Sequence, residues 1–320
     1  MTDGVIVGID TSNYTTSAAV VTEAGEVLAN LKLPLPVGDG ARGLRQSDAL
    51  FAHNKNLPVM AEMLRKALGD RRILAVGCSA RPRDAEGSYM PCFLAGRSAA
   101  GMMASGLRVP LYEFSHQNGH IMAAAYSSGA SDKLLAAPFG AFHVSGGTTE
   151  LVLAEPSGTS FRVKLLGGTD DLNAGQAIDR TGVLMGLHFP CGHEMELLAN
   201  ENKAPVPAPH VSVKGLHCNL SGLENLAGKL YLETGDKGLT SAFVFDYVAK
   251  TLGKLTENFR AEHGSLPVLY AGGVMSNRRI KNALSRYADT YFSEPQFSAD
   301  NAAGVALLTR KQFLAGKAEG

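Results

Sequence analysis

At 320 residues the chain exceeds the size at which one hydrophobic core usually stops growing, so two domains are the natural expectation. The composition, 45% hydrophobic and 19% charged, is that of a soluble globular protein; no apolar run reaches the length of a membrane span and Met1-Thr-Asp-Gly4 lacks the basic start of a secretion signal, so the chain reads as cytoplasmic with no membrane role. Thirty basic residues balance thirty acidic ones, and Cys78, Cys92, Cys191 and Cys218 form no CxxC pair, which argues against a zinc knuckle or disulfide framework and leaves nucleic-acid contact to local clusters such as Arg65, Lys66, Arg71, Arg72, Arg81 and Arg83.

Residues 5–9 read as a buried strand, Asp10-Thr-Ser-Asn-Tyr-Thr-Thr-Ser17 as a polar turn and 18–21 as the returning strand. Glu23-Ala-Gly25 turns the chain again into a strand at 27–33. Residues 45–68 carry Leu50, Phe51, Leu57, Met60, Met63 and Leu64 at helical spacing, with Pro58 predicting a break or kink. Residues 97–107 are small and apolar enough for a second, tightly packed helix between short strands at 73–78 and 109–112. The second half repeats the opening plan: strand 139–144, the tip Ser145-Gly-Gly-Thr-Thr149, strand 151–154, the turn Pro156-Ser-Gly158 and strand 161–166. Duplication is the simplest account. Helices follow at 177–187 and 194–198, and residues 200–215, broken by Pro205, Pro207 and Pro209, read as an extended surface excursion. A long amphipathic helix at 240–262, a strand entering a glycine turn at 268–273 and a closing helix at 301–315 complete the chain. Two similar α/β halves, each with a Ser/Thr-bearing hairpin tip, predict a cleft between domains that suits a nucleotide phosphate chain.

Four stretches carry the chemistry. In the tip at 145–149, glycines allow backbone N–H groups close to an anion and Ser145, Thr148 and Thr149 add hydroxyls, although Gly-Gly turns are also ordinary hairpin chemistry. In His116-Gln-Asn-Gly-His120 a helix would put both imidazoles on one face, where they can chelate a cation; Gly119 weakens that helix, and the pair alone fits equally two ordinary histidines. Gln117 stands where zinc proteases carry their general base, which argues against proteolysis by that route. A third ligand is offered by Asp300, although Ser298 or Asp300 would also serve as cap of the last helix. In Ala271-Gly-Gly-Val-Met-Ser-Asn277, the glycines admit a flat ring or ribose and Asn277 can hydrogen-bond it, as in many strand-to-helix turns. In Asp170-Asp171-Leu-Asn-Ala-Gly-Gln176-Ala-Ile-Asp179, Asp171 and Asp179 can face a ribose or a metal-bound water, or simply favour a helix start through its dipole.

Taken together, these motifs resemble the TsaD family, the transferases that make threonylcarbamoyladenosine in tRNA, once classed as glycoproteases. The resemblance runs from Gly4-Val-Ile-Val-Gly-Ile-Asp-Thr-Ser12 to the final helix, and rests on His116-x-x-x-His120, Val144-Ser-Gly-Gly147, Ala174-Gly-x-Ala-x-Asp179, Ala271-Gly-Gly-Val274 with Asn277, and Asp300-Asn301 in the family's order. It implies an α/β, actin-like, hexokinase-type (ASKHA) fold of two duplicated domains: residues 1–112 as the first, with the helix at about 301–320 packed back on it, and 113–300 as the second. It further implies a divalent metal, iron or zinc, on His116, His120 and Asp300. Ser145, Gly146, Gly147 and Thr148 would lie along the phosphate of an adenine nucleotide (ATP, ADP or an acyl-adenylate, with magnesium a further candidate). Asp179, Gly192 and Asn277 would hold the nucleoside, with Asp10 and Asp179 as the catalytic carboxylates. The expected reaction transfers threonylcarbamoyl from its adenylate to the exocyclic amine of adenosine in tRNA, with tRNA, other subunits of the synthesis complex and a homo- or heterodimeric partner as expected associates.

The chain departs from the family pattern at several points. Thr148 stands where His is usual, Gln176 where Glu is, and Asn13-Tyr14-Thr15 in place of Cys-Asp-Glu. Ser79-Ala-Arg-Pro-Arg-Asp-Ala-Glu-Gly87 replaces a glycine-rich loop, and Glu224 stands where Lys is expected. These changes motivate an alternative, a non-catalytic nucleotide-binding partner subunit. A small-molecule kinase of the same fold is a third reading, which leaves the His pair unexplained.

Overall fold

The computed structural model describes residues 4–36 and 44–318; the chain start considered above for a secretion signal lies largely outside them. In chain order the elements are β1 (Gly4–Thr11), β2 (Thr15–Thr22), β3 (Val27–Pro34), α1 (Gln46–Leu68), β4 (Arg72–Arg81), α2 (Phe93–Leu107), β5 (Leu111–Ser115), α3 (His116–Ser127), α4 (Ser131–Ala136), β6 (Phe139–Val144), β7 (Thr149–Ser157) and β8 (Ser160–Thr169). Next come α5 (Ala174–Leu184), α6 (Gly192–Glu201), β9 (Ser212–Lys214), β10 (His217–Asn219), α7 (Ser221–Thr234), α8 (Lys237–His263) and β11 (Val268–Ala271). A 3-10 turn (Gly273–Ser276), α9 (Arg278–Leu284), β12 (Thr290–Phe292), α10 (Pro295–Ser298) and α11 (Ala303–Ala318) close the chain.

The chain divides into two compact units. One gathers the segment up to Tyr126, residues Pro156–Val163 and the chain from Ala299 onward; the other holds Ser127–Glu155 and Lys164–Ser298. The sheet of the first has the order β3-β2-β1-β4-β5, and the second sheet repeats it as β8-β7-β6-β11-β12, extended by β10 and β9. The directions repeat too: β1 runs antiparallel to β2 and parallel to β4, as β6 does to β7 and β11. The two mixed α/β sheets thus carry the duplication expected from the hairpin plan. Among the described residues no helix is long and apolar enough to cross a membrane.

In the first unit β1 reads as an unbroken apolar run because both faces of its sheet are covered. Val5, Val7 and Ile9 join Met60 and Leu64 of α1 and Ala100 and Ala104 of α2 in one buried cluster. The opposite face carries α11: a Cβ on Gly8 would lie 2.6 Å from the Ala306 nitrogen. In the second unit α8 lies across the core, with Leu252, Leu255 and Phe259 buried among Phe142, Leu151 and Tyr270.

Two expectations need correction. Pro58 neither breaks nor ends α1, which runs through it. Pro58 and Asn54, whose carbonyl it leaves without its helical donor, both lie on the exposed side of the helix, while Ala49, His53, Met60 and Leu64 pin the buried face. Nor do Ser298 or Asp300 cap the last helix. Asn301 does, its Oδ1 accepting from the Ala303 N–H at 3.1 Å.

Candidate metal centre and nucleotide pocket

Helix α3 begins at His116, so the spacing of four places both rings on one face, and their centroids are 4.2 Å apart. Gly119, which weakens the helix on propensity alone, is needed for packing. A Cβ on Gly304 of α11 would overlap the Gly119 carbonyl oxygen, and one on Gly119 would lie 3.1 Å from Val305 Cγ2. The two helices therefore meet backbone to backbone beside the histidines, and the residues leading into α11 deliver Asp300 there. Asp300 Oδ1 lies 3.5 Å from His116 Nε2 and 3.3 Å from His120 Nε2. One ligand atom from each of His116, His120 and Asp300 falls within 4.8 Å of the others.

This donor set fits iron or zinc. Two imidazoles and one carboxylate leave positions open for water or substrate, as catalytic sites of either metal do. Supporting contacts fit as well: Asp10, at the end of β1, places Oδ1 2.8 Å from His116 Nδ1, leaving Nε2 for a cation. Burial opposes charge on His116, but Asp10 and Asp300 outweigh it and raise its pKa to about 10 in the metal-free protein. Burial likewise opposes ionisation of Asp300, yet hydrogen bonds and charge from the two imidazoles hold its carboxyl well below the usual carboxylate range.

The second unit carries a cavity of about 380 Å³, within the range of small-ligand pockets. Gly146, Asp179, Gly192 and Asn277 line it, together with Ile178 and Phe245 as apolar walls. The Ser145-Gly-Gly turn is docked on the start of α5: the Gly175 N–H donates to the Ser145 carbonyl at 3.1 Å, and a Cβ on Gly175 would lie 2.6 Å from the Gly146 nitrogen. Within the turn, Ser145 Oγ accepts from the Gly147 and Thr148 N–H groups at 3.3 and 3.1 Å. Asp179 Oδ1 accepts from the Cys191 N–H at 2.8 Å; burial pushes its pKa up while that bond pulls it down. Asn277 Oδ1 caps α9 through the Ile280 N–H at 3.0 Å, which leaves the buried Nδ2 without a partner in a residue that lines the cavity.

The expected residues thus gather into two sets: His116, His120, Asp300 and Asp10 in the first unit, and Gly146, Asp179, Gly192 and Asn277 around the cavity of the second, with Ser145, Gly147 and Thr148 completing its hairpin turn. Asp10 and Asp179, expected together as catalytic carboxylates, belong to different units. Asp171 holds the start of α7 in place, accepting hydrogen bonds from the N–H groups of Leu220 and Ser221 and from the Ser221 hydroxyl. Partial burial works against its ionisation, but these bonds hold it well below the usual carboxylate range. His193 and Glu196 also line the cavity and were not singled out from the sequence. The spacing of Gly192 and Glu196 on one helix face was the available signal. Of the basic cluster, Arg65 pairs with Glu62 and Arg81 with Asp84.

Three of the departures have partners in the fold. Gln176 completes a capping box with Asn173 at the start of α5, a role Glu fills equally, and Asn13 accepts from Gln46 Nε2 at 2.6 Å. Glu224 pairs with Arg180 at 3.2 Å.

A family model described as "TsaD: tRNA N6-adenosine threonylcarbamoyltransferase" matches residues 44–307. A curated tRNA N6-adenosine threonylcarbamoyltransferase from Methanopyrus kandleri is 31% identical over 314 residues, covering 94% of this chain and 86% of that protein. Among solved structures, HypF from T. kodakarensis is similar with a TM-score of 0.62 at 14% identity, covering 98% of this chain and 48% of its own. Component A of the Acidaminococcus fermentans (R)-2-hydroxyglutaryl-CoA dehydratase gives 0.55 at 13%, covering 97% and 99%, and a Streptomyces griseus ROK family glucokinase 0.51 at 13%, covering 96% and 98%. These structural likenesses establish the actin-like, hexokinase-type fold.

Proposed function

Because the chain belongs to the TsaD family of tRNA N6-adenosine threonylcarbamoyltransferases, we propose that it transfers a threonylcarbamoyl group from threonylcarbamoyl-adenylate to N6 of an adenosine in tRNA, using a divalent metal on His116, His120 and Asp300. The observation that carries the metal dependence is the convergence of three ligands from α3 and the lead into α11. The nucleoside part of the donor is assigned to the second unit's cavity. There Asp179 accepts from ribose hydroxyls and the unpaired Asn277 Nδ2 donates to the base or sugar. Gly192 lines the same nucleoside pocket, and the backbone at Gly146 offers N–H groups to the phosphate.

When bound, the metal supplies Lewis-acid polarisation of a carbonyl oxygen. In the transfer itself the N6 amine attacks the carbamoyl carbon, a C–N bond forms, the C–O bond to the phosphate breaks, the amine sheds one proton and AMP leaves as the anion. On the same footing tRNA is the acceptor, and further subunits of a synthesis complex are expected partners. Gln176 and Asn13, the departures that motivate a non-catalytic partner subunit, each have a hydrogen-bonding role in the fold, and a single-turnover assay separates the two readings.

A single-turnover assay with threonylcarbamoyl-adenylate and unmodified tRNA tests this reading. Modified adenosine is the expected product; binding of both without modification would establish the partner-subunit reading instead. Metal analysis of the purified protein is expected to find about one iron or zinc per chain, lost in the His116→Ala, His120→Ala double variant.

A further inference from the structure

Asp10 is fully buried and meets no solvent. Its position follows from the sheet. Two residues earlier Gly8 presses against α11, so Asp10 projects on the same sheet face, toward the end of the strand where Asp300 leads into that helix. The Ser17 hydroxyl donates to the Asp10 carbonyl at 3.2 Å and fixes the strand end. The His116 ring is thereby held between two carboxylates, Asp10 at Nδ1 (2.8 Å) and Asp300 at Nε2 (3.5 Å).

The other carboxylate oxygen, Asp10 Oδ2, is buried with no hydrogen-bond partner, as are the Ser12 and Ser79 hydroxyls. Ser79 adjoins Asp10 across the sheet, since β1 and β4 pair Ile9 with Cys78 one residue earlier. An unpaired buried oxygen is costly, more so when charged, and a residue chosen for packing alone would avoid it.

We infer that Asp10 is a positioning residue: its carboxylate fixes the His116 ring with Nδ1–H turned inward and so presents Nε2 to the cation shared with His120 and Asp300. It does not touch substrate. The inference rests on the metal reading proposed above, and goes beyond it in assigning the residue that prepares the ligand. A metal-ligating imidazole commonly gives its second N–H to a carboxylate, which raises its basicity and sets its orientation; loss of that carboxylate typically costs 10–100-fold in metal affinity or activity.

The test uses the full chain with zinc and cobalt as probes. Zinc affinity is measured by competition with a chelator, and the absorption spectrum of the cobalt form reports ligand geometry. Asp10→Asn, which keeps the shape and removes the charge, is expected to weaken zinc binding about 10–100-fold and alter the cobalt spectrum, with the unfolding midpoint of the metal-free protein serving as the folding control. Asp10→Glu, which restores a carboxylate, is expected to recover part of the affinity, a rescue that a merely structural role does not produce. Wild-type zinc affinity and an unchanged cobalt spectrum in Asp10→Asn would overturn the inference while leaving the metal centre intact; loss of turnover in that same variant would place Asp10 against the substrate. Absence of tight metal binding in the wild-type chain would overturn the metal reading and this inference together. Should Asp10→Asn fail to fold, Asp10→Glu decides: failure to bind zinc despite a folded chain with its carboxylate retained points to packing and overturns the inference.

Discussion

His53 shows how a residue far from the reaction governs the first hairpin tip. Its ring is buried, with Nε2 2.6 Å from the Ser12 carbonyl and Nδ1 2.8 Å from Thr16 Oγ1, which also accepts from Asn56 Nδ2 at 3.2 Å. Burial pushes the His53 pKa down, outweighing the Ser12 hydrogen bond and the charges of Asp10 and Asp300. A folded-state pKa below the unfolded one means that its contribution to stability is present above about pH 6.5 and lost as pH falls through the folded value. His116 has the opposite sign. Raised to about 10, it stabilises the metal-free fold fully below about 6.5, and that contribution is lost as pH rises toward 10. Urea unfolding of metal-free protein should therefore show greatest stability near neutrality, with the alkaline loss removed in His116→Ala and the acid loss reduced in His53→Gln. Metal must displace the His116 proton, so zinc affinity is expected to fall roughly tenfold per pH unit between pH 8 and 6, measurable by competition titration. None of these shifts was legible in the sequence. They depend on which carboxylates and carbonyls reach each ring, and Asp10 and His116 are 106 residues apart.

At the scale of elements, the α3–α11 crossing decides whether the ligands meet. Gly304→Ala would drive a methyl group into the Gly119 carbonyl, and the helices would have to separate. Overpacking of this kind costs about 1–3 kcal/mol or more, and the expected result is a lower melting temperature together with loss of bound metal. Asn301→Ala removes the cap of α11 at a cost of about 1 kcal/mol, seen as a smaller drop in midpoint. Periodicity located α1, α8 and α11 because each buries a face of its own, and the hairpin plan located both sets of three strands. It did not locate α7, whose start is held by a partner from elsewhere in the chain, or the short α9, which Asn277 caps locally and Glu196 holds from outside. Asp171 caps α7 across about 50 residues, and the Arg278 N–H at the head of α9 donates to Glu196 at 2.7 Å.

At the scale of the whole molecule, ligands that bind only the folded chain stabilise it by mass action. Zinc at a hundred times its dissociation constant should add about 2.7 kcal/mol, and chelation should lower the calorimetric midpoint accordingly. Asn277→Ala, by removing the unpaired Nδ2 from the cavity, should weaken AMP binding and reduce the stabilisation that AMP confers, with zinc affinity retained. By itself the sequence determined the duplicated strand plan, the His116–His120 spacing that a helix would bring to one face, and the family, because strand alternation, helical spacing and glycine turns are local consequences of backbone geometry. Only the tertiary structure decided that Asp300 serves the histidines while Asn301 caps the helix, that Gly119 and Gly304 bring two helices into contact, and that Asp10 holds His116 from behind. Those outcomes depend on which surfaces meet once strands pair and helices pack, and no spacing along the chain encodes the distance between residues brought together only by packing.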